Sequence, residues 1–191
     1  FVNLPFLTRT TSKTVFPGGN ELWNAGSQQN YFSMAPLDDV VMGGASASTF
    51  DTSTGTWSGS VTDANNGGFV GIRSTPTFTW NAAACKGLEW DLKLEGKKSR
   101  RFKFVLRDST DFNGITWTTV VDVKPGRNTV KIPFDKQVAA LFANKVQGQT
   151  FRKENVVGVQ ITYSKFEYDG KLNPSFDVGD LKLQLLALRA Y

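Results

Sequence analysis

From residue 50 onward the chain alternates apolar and polar positions with a period of two. Leu88, Trp90, Leu92 and Leu94 are separated by Glu89, Asp91 and Lys93, and Phe102, Phe104 and Leu106 are interleaved with Arg101, Lys103, Val105 and Arg107. Successive side chains of a strand point to opposite faces, so this alternation predicts half-buried strands. Further strands are expected over Ile115–Val123, Asn128–Phe134, Val156–Tyr163 and Val178–Leu188, with Pro125-Gly126 turning the chain between two of them. Asn65-Asn66-Gly67-Gly68 lies between Trp57–Thr62 and Phe69–Arg73 and reads as a hairpin turn, because Asn and Gly accept left-handed backbone. Helical spacing occurs once, where Val138, Leu141, Phe142 and Val146 recur within Lys136–Val146. Strands separated by turn signals, with one short helix, predict an all-β fold: an antiparallel β-sandwich of the jelly-roll kind.

The beginning of the chain follows another pattern. Thr8–Thr14 is polar and Pro17-Gly18-Gly19-Asn20 is a breaker, whereas Phe1, Val2, Leu4, Phe6 and Leu7 are apolar. So apolar an end is expected to dock, on this domain or on a partner; a strand joining the sheet is an equal alternative. The organisation expected is an arm over 1–30 and a single domain over 31–191.

Composition narrows the chemistry. With 15 Phe and 40% hydrophobic residues the chain can build a large core, each fully buried Phe contributing about 1.5–3 kcal/mol. Cys85 is the one cysteine, so no internal disulfide forms, and it is expected to be a buried, inert thiol in a reducing or organellar compartment. Histidine is absent, which removes Ser-His-Asp and Cys-His catalysis and the commonest metal ligand. An enzyme is therefore not the expectation, and no catalytic, cofactor or metal residue is assigned. The net charge of +5 favours anionic neighbours without choosing among them. No apolar run approaches the roughly 18 residues of a membrane span. The chain opens on Phe1 rather than Met, as expected of a mature chain after removal of a targeting segment.

The most specific motif is Asp38-Asp39-Val40-Val41-Met42-Gly43-Gly44-Ala45-Ser46, followed by Trp57-Ser58-Gly59 and then Asn66-Gly67-Gly68-Phe69-Val70-Gly71-Ile72-Arg73. Glycine is used where the backbone needs positive φ or another group must approach closely. With Leu88–Gly96, Lys124-Pro125-Gly126 and Val130–Phe134 in order behind it, this series resembles the complex I intermediate-associated protein family over roughly residues 36–188. The resemblance implies a galactose-binding-like jelly roll, a fold also used by carbohydrate-binding modules. It also implies a non-enzymatic assembly factor or peripheral scaffolding subunit of a large organellar membrane complex. The family includes a mitochondrial assembly factor for NADH:ubiquinone oxidoreductase and plastid relatives acting around photosystem biogenesis, so both mitochondrion and plastid remain open. The family's Gly-Asp-Gly after the central strand is replaced here by Gly96-Lys97-Lys98, and an aromatic before the Pro-Phe strand by Arg127-Asn128.

Several residue groups are candidate sites. Lys97, Lys98, Arg100 and Arg101 lie in a basic hairpin with Lys93 and Lys103, and together with Phe1 and Phe6 they are the expected partner contacts; lysines protecting a sheet edge are the plainer reading. Asp38 and Asp39 are candidate Ca²⁺ ligands, but calcium takes about six to eight oxygens, so capping or turn hydrogen bonds are expected instead. Trp23, Trp57, Trp80, Trp90 and Trp117, with Tyr31, Tyr163 and Tyr168, offer a sugar-stacking platform for a carbohydrate-binding alternative, core packing being the default. Arg73 and Asp91 are candidates for a polar site on the same face. Arg101-Phe102-Lys103-Phe104 argues against single-stranded nucleic acid, because alternation separates the rings from the charges.

Overall fold

A computed structural model of the chain describes residues 20–191; the expected docking residues Phe1 and Phe6 lie outside that span. Thirteen strands follow one another: β1 (Glu21–Asn24), β2 (Ser33–Pro36), β3 (Ala47–Asp51), β4 (Thr56–Val61), β5 (Phe69–Thr75), β6 (Gly87–Leu94), β7 (Arg100–Arg107), β8 (Thr116–Val123), β9 (Gly126–Pro133), β10 (Val138–Leu141), β11 (Asn144–Lys145), β12 (Gly158–Ser164) and β13 (Gly179–Ala190). They form two antiparallel sheets. One has the order β3-β4-β13-β6-β9, with β1 pairing with the far end of β13; the other runs β11-β10-β8-β7-β12-β5-β2.

The period-two pattern explains the core between the sheets. Leu88, Trp90, Leu92 and Leu94 of β6 face inward from the first sheet, and Phe102, Phe104 and Leu106 of β7 face them from the second. Aromatic rings knit the layers together: Trp57 of β4 lies 6.3 Å from Phe102, and Phe102 lies 5.5 Å from Tyr163 of β12. Offset or tilted contacts of this kind add about 0.5–1.5 kcal/mol beyond the area they bury. Cys85 is only half-buried, packed against this core.

Two local expectations are overturned. Lys136–Val146 is not a helix: Val138–Ala140 pair with Thr116–Thr118 of β8, and Leu141 pairs with Asn144 across a tight turn. Phe142 and Ala143 turn the chain with φ of +48° and +62°, and Asp169 fixes the turn by donating its N–H to Ala143 and accepting from the Lys145 N–H. Pairing with β8 overrides the helical spacing. Among the described residues, helical geometry is confined to four short 3-10 turns.

Asn65-Asn66-Gly67-Gly68 is not a hairpin turn either. It joins β4 in one sheet to β5 in the other, with both asparagines at positive φ. The left-handed residues serve a crossing between layers, which puts this loop beside Asp39.

Candidate functional site

The Asp38-Asp39 pair and the two Gly-Gly doublets form one structure. Asp39 opens a 3-10 turn over Asp39–Met42 and is fully buried, while Asp38 is 8% exposed. Neither side chain caps its own turn. The Asp39 carboxylate accepts from the N–H of Ser46 at 2.8 Å, the Ser46 hydroxyl at 2.7 Å, and the N–H groups of Gly68 at 2.7 Å and Phe69 at 3.2 Å. Asp38 accepts from the N–H and hydroxyl of Ser48, both at 2.7 Å, and from Gly71 N–H at 3.3 Å. Ser48 belongs to β3 and Gly71 to β5, so adjacent carboxylates clip the two sheets together.

The glycines are what let the carboxylate in. A Cβ on Gly44 would lie 2.3 Å from Asp39 Cγ, and one on Gly67 would lie 2.4 Å from Asp39 Oδ2. Burial pushes the Asp39 carboxyl up, but the donors of Gly68, Ser46 and Phe69 outweigh it and hold the group below the ordinary carboxylate range. With its oxygens taken by protein donors, Asp39 is poorly placed to hold calcium. Among the described residues no group of three acidic, His or Cys side chains is arranged for a metal. The motif's exposed part is apolar: Val40, Val41 and Met42 are 58%, 68% and 77% exposed above this anchored base.

The basic hairpin divides. Lys97, Lys98 and Arg100 line an open groove with Glu95, Gly96, Asp177 and Val178. Lys98 pairs with Asp177 at 3.2 Å, and the Arg100 guanidinium donates to Asp180 O and lies over the Tyr163 ring. Arg101 faces away from that groove. It grips Asp122 at 2.7 and 2.9 Å and also bonds Glu167, and these carboxylates, Asp122 first, push its already high pKa up further. Lys103 donates to the Glu167 carbonyl, and its burial outweighs the pull of the Glu167 charge, lowering its pKa to about 8. Thus Arg101 and Lys103 pin the 165–173 loop across the outer face of the second sheet. Strand parity accounts for this, because Arg100 and Arg101 are neighbours in β7.

The aromatic candidates are mostly interior. All five tryptophans are 6% exposed or less, and Tyr163 is fully buried. Tyr168 is half-buried with Lys103 and Lys145 over its ring. Tyr31 remains exposed, along a groove with Trp23, Asn30 and Pro76. Arg73 and Asp91 do not meet: Arg73 is on β5, whereas Asp91 of β6 pairs with Arg189 at 2.8 Å in the other sheet. Phe102 and Phe104 are buried opposite the basic residues, as the alternation requires.

The profile of the family described as Complex I intermediate-associated protein 30 (CIA30) matches residues 23–185. The chain belongs to the CIA30 family. No curated protein sequence matches it. Among solved structures it is similar to the family 11 carbohydrate-binding module of Clostridium thermocellum in complex with a β-1,3-1,4-mixed-linked tetrasaccharide. That match has 16% identity and a TM-score of 0.53, and covers 89% of this chain and 94% of that one. The family 11 module of the cellulosomal cellulase Lic26A-Cel5E from the same organism matches at 14% identity and TM-score 0.54, over 91% and 95% of the two chains. The agarase AgWH50C matches at 8% identity and TM-score 0.53, over 91% of this chain and 26% of the agarase. At such identities the likeness is one of fold. The CIA30 match takes in the carboxylate clip and the basic hairpin.

Proposed function

We propose that this CIA30 chain is a non-enzymatic component of complex I biogenesis or of its periphery, acting by protein–protein contact. The observation that carries the reading is the fate of the family motif's acids. Asp38 and Asp39 are consumed in holding β3 to β5, so the motif builds a scaffold and leaves no acid free to react. The family's description speaks for complex I, and so for the mitochondrial inner membrane; it lends nothing to a photosystem or a plastid. Among the described residues no helix is long and apolar enough to cross a membrane.

The contacts in this reading are the groove of Lys97, Lys98 and Arg100, together with Phe1 and Phe6, while Arg101 steadies the neighbouring loop. Charge steers such an encounter more than it tightens it. Lysine-directed crosslinking of solubilised organelle membranes tests the assignment. Crosslinks from Lys97 and Lys98 to acidic segments of complex I subunits are expected. Crosslinks confined to Lys86 and Lys182, which are also exposed, contradict it.

A further inference from the structure

The outer face of the second sheet carries a second cationic feature, distinct from the basic hairpin. Arg73 of β5 and Arg107 of β7 are separated by β12, yet both guanidinium groups converge on the ring of Phe112 in the β7–β8 loop. Their Cζ atoms lie 4.1 and 5.4 Å from its centroid. Among the described residues neither arginine forms an ion pair. Arg107 donates only to the carbonyls of Asp111 and Phe112, at 3.3 and 3.4 Å. Burial, and then the charge of Arg73, lower its pKa, with Asp111 opposing. Two partly buried like charges gathered on one ring are unfavourable without an anion.

Two orphaned polar atoms sit at the same place. Arg73 Nη1 is buried with no acceptor, and Oε1 of Gln160, the residue opposite Arg73 in the β5–β12 register, is buried with no donor. The Gln160 amide bonds the Thr162 hydroxyl. A hydroxyl both donates and accepts, so this amide can present either its oxygen or its NH₂ outward. Phe112 stands 53% exposed beside them.

We propose that Arg73, Arg107 and Gln160 form an oxyanion site for an acidic side chain of a partner protein, with Phe112 as its apolar flank. Guanidinium forks match a carboxylate in geometry and charge. An exposed aromatic pinned by two arginines is also preorganised in the manner of an interface hot spot. A protein surface fits better than a free anion, because only a surface covers Phe112 as it delivers the carboxylate. The proposal rests on the protein–protein reading above, and it adds a second face to it.

The test uses the full chain, with hexaglutamate peptide and inorganic phosphate as separate probes in NMR titrations. The peptide is expected to shift signals of Arg73, Arg107, Gln160 and Phe112. The R73Q/R107Q variant should weaken peptide binding about ten-fold or more, as loss of charge-assisted hydrogen bonds requires. An unchanged melting temperature in that variant shows that folding is not the cause, and R73K/R107K, which keeps charge without the fork, should restore only part of the affinity. Equal peptide affinity in R73Q/R107Q and wild type overturns the site. Phosphate binding at the same residues as tightly as peptide overturns the protein source of the anion. Co-migration of R73Q/R107Q with a membrane complex as strong as wild type overturns the site while leaving the scaffold function standing; failure of wild type to co-migrate overturns that function without touching the peptide result.

Discussion

The carboxylate of Asp39 fills the space that a side chain on Gly44 would need: an added Cβ would lie 2.3 Å from Asp39 Cγ. Gly67 stands in the same relation to the carboxylate, an added Cβ lying 2.4 Å from Asp39 Oδ2, so the two Gly-Gly motifs share in walling one recess. The residue pattern therefore records a close approach, not a loop's need for flexibility.

Gly44→Ala and Gly67→Ala are each expected to destabilise the protein by about 2–4 kcal/mol, combining overpacking with displacement of a hydrogen-bonded carboxylate. Gly43→Ala is the control. Its φ is +85° with nothing within 4 Å of an added Cβ, so only the left-handed backbone penalty of about 1 kcal/mol applies. Urea unfolding of the three variants gives the ranking, and equal losses at positions 43 and 44 refute the recess.

Asp39 also predicts a pH dependence. Its folded-state pKa lies below the ordinary carboxylate value, so the unfolded chain binds more protons in the interval between the two. The stabilisation is present above the unfolded pKa of about 3.9 and is lost as pH falls through the folded value. Asp39→Asn, unable to ionise, should be less stable at neutral pH, and its deficit should narrow as the solution is acidified towards pH 3. A deficit independent of pH means that the carboxylate's charge is not what the four donors recognise.

How much of this was legible in the sequence depends on the range of each interaction. Strand faces were readable because period-two alternation is local: Leu88, Trp90, Leu92 and Leu94 are buried as their spacing required. The helical spacing in Lys136–Val146 misleads because four apolar residues cannot report that Val138–Ala140 will pair with β8. Asn65–Gly68 signalled left-handed backbone correctly, yet nothing local says whether such a loop closes a hairpin or crosses between sheets. The bonds of Asp39 to Gly68 and of Asp38 to Gly71 span 29 and 33 positions, so the motif was visible while its purpose was not. Proximity in the sequence groups Arg101 with Lys97 and Lys98, although strand parity separates it from Arg100. The convergence of Arg73 and Arg107 on Phe112 joins strands that are not neighbours, and no spacing rule reports it.

The Phe142–Ala143 turn gives its own test. Phe142 is 75% exposed, and it and Ala143 both occupy left-handed backbone, where Asn-Gly is favoured. The Phe142→Asn/Ala143→Gly double variant should gain about 0.5–1 kcal/mol, a rise of roughly 1–4 °C in Tm for a chain of this size. A helix over the same residues would instead be destabilised by Gly, so a fall in Tm contradicts the β10–β11 hairpin.

The proposed docking of this CIA30 chain on a large membrane complex through Lys97 and Lys98 is decided by native electrophoresis of solubilised organelle membranes, comparing wild type with Lys97→Glu/Lys98→Glu. Both lysines are exposed, so their reversal should leave the fold intact. Wild type is expected to co-migrate with complex I or one of its subassemblies, and the charge-reversed chain to shift to the free fraction. Wild type running only as the free chain, or the reversed chain co-migrating undiminished, would contradict this docking.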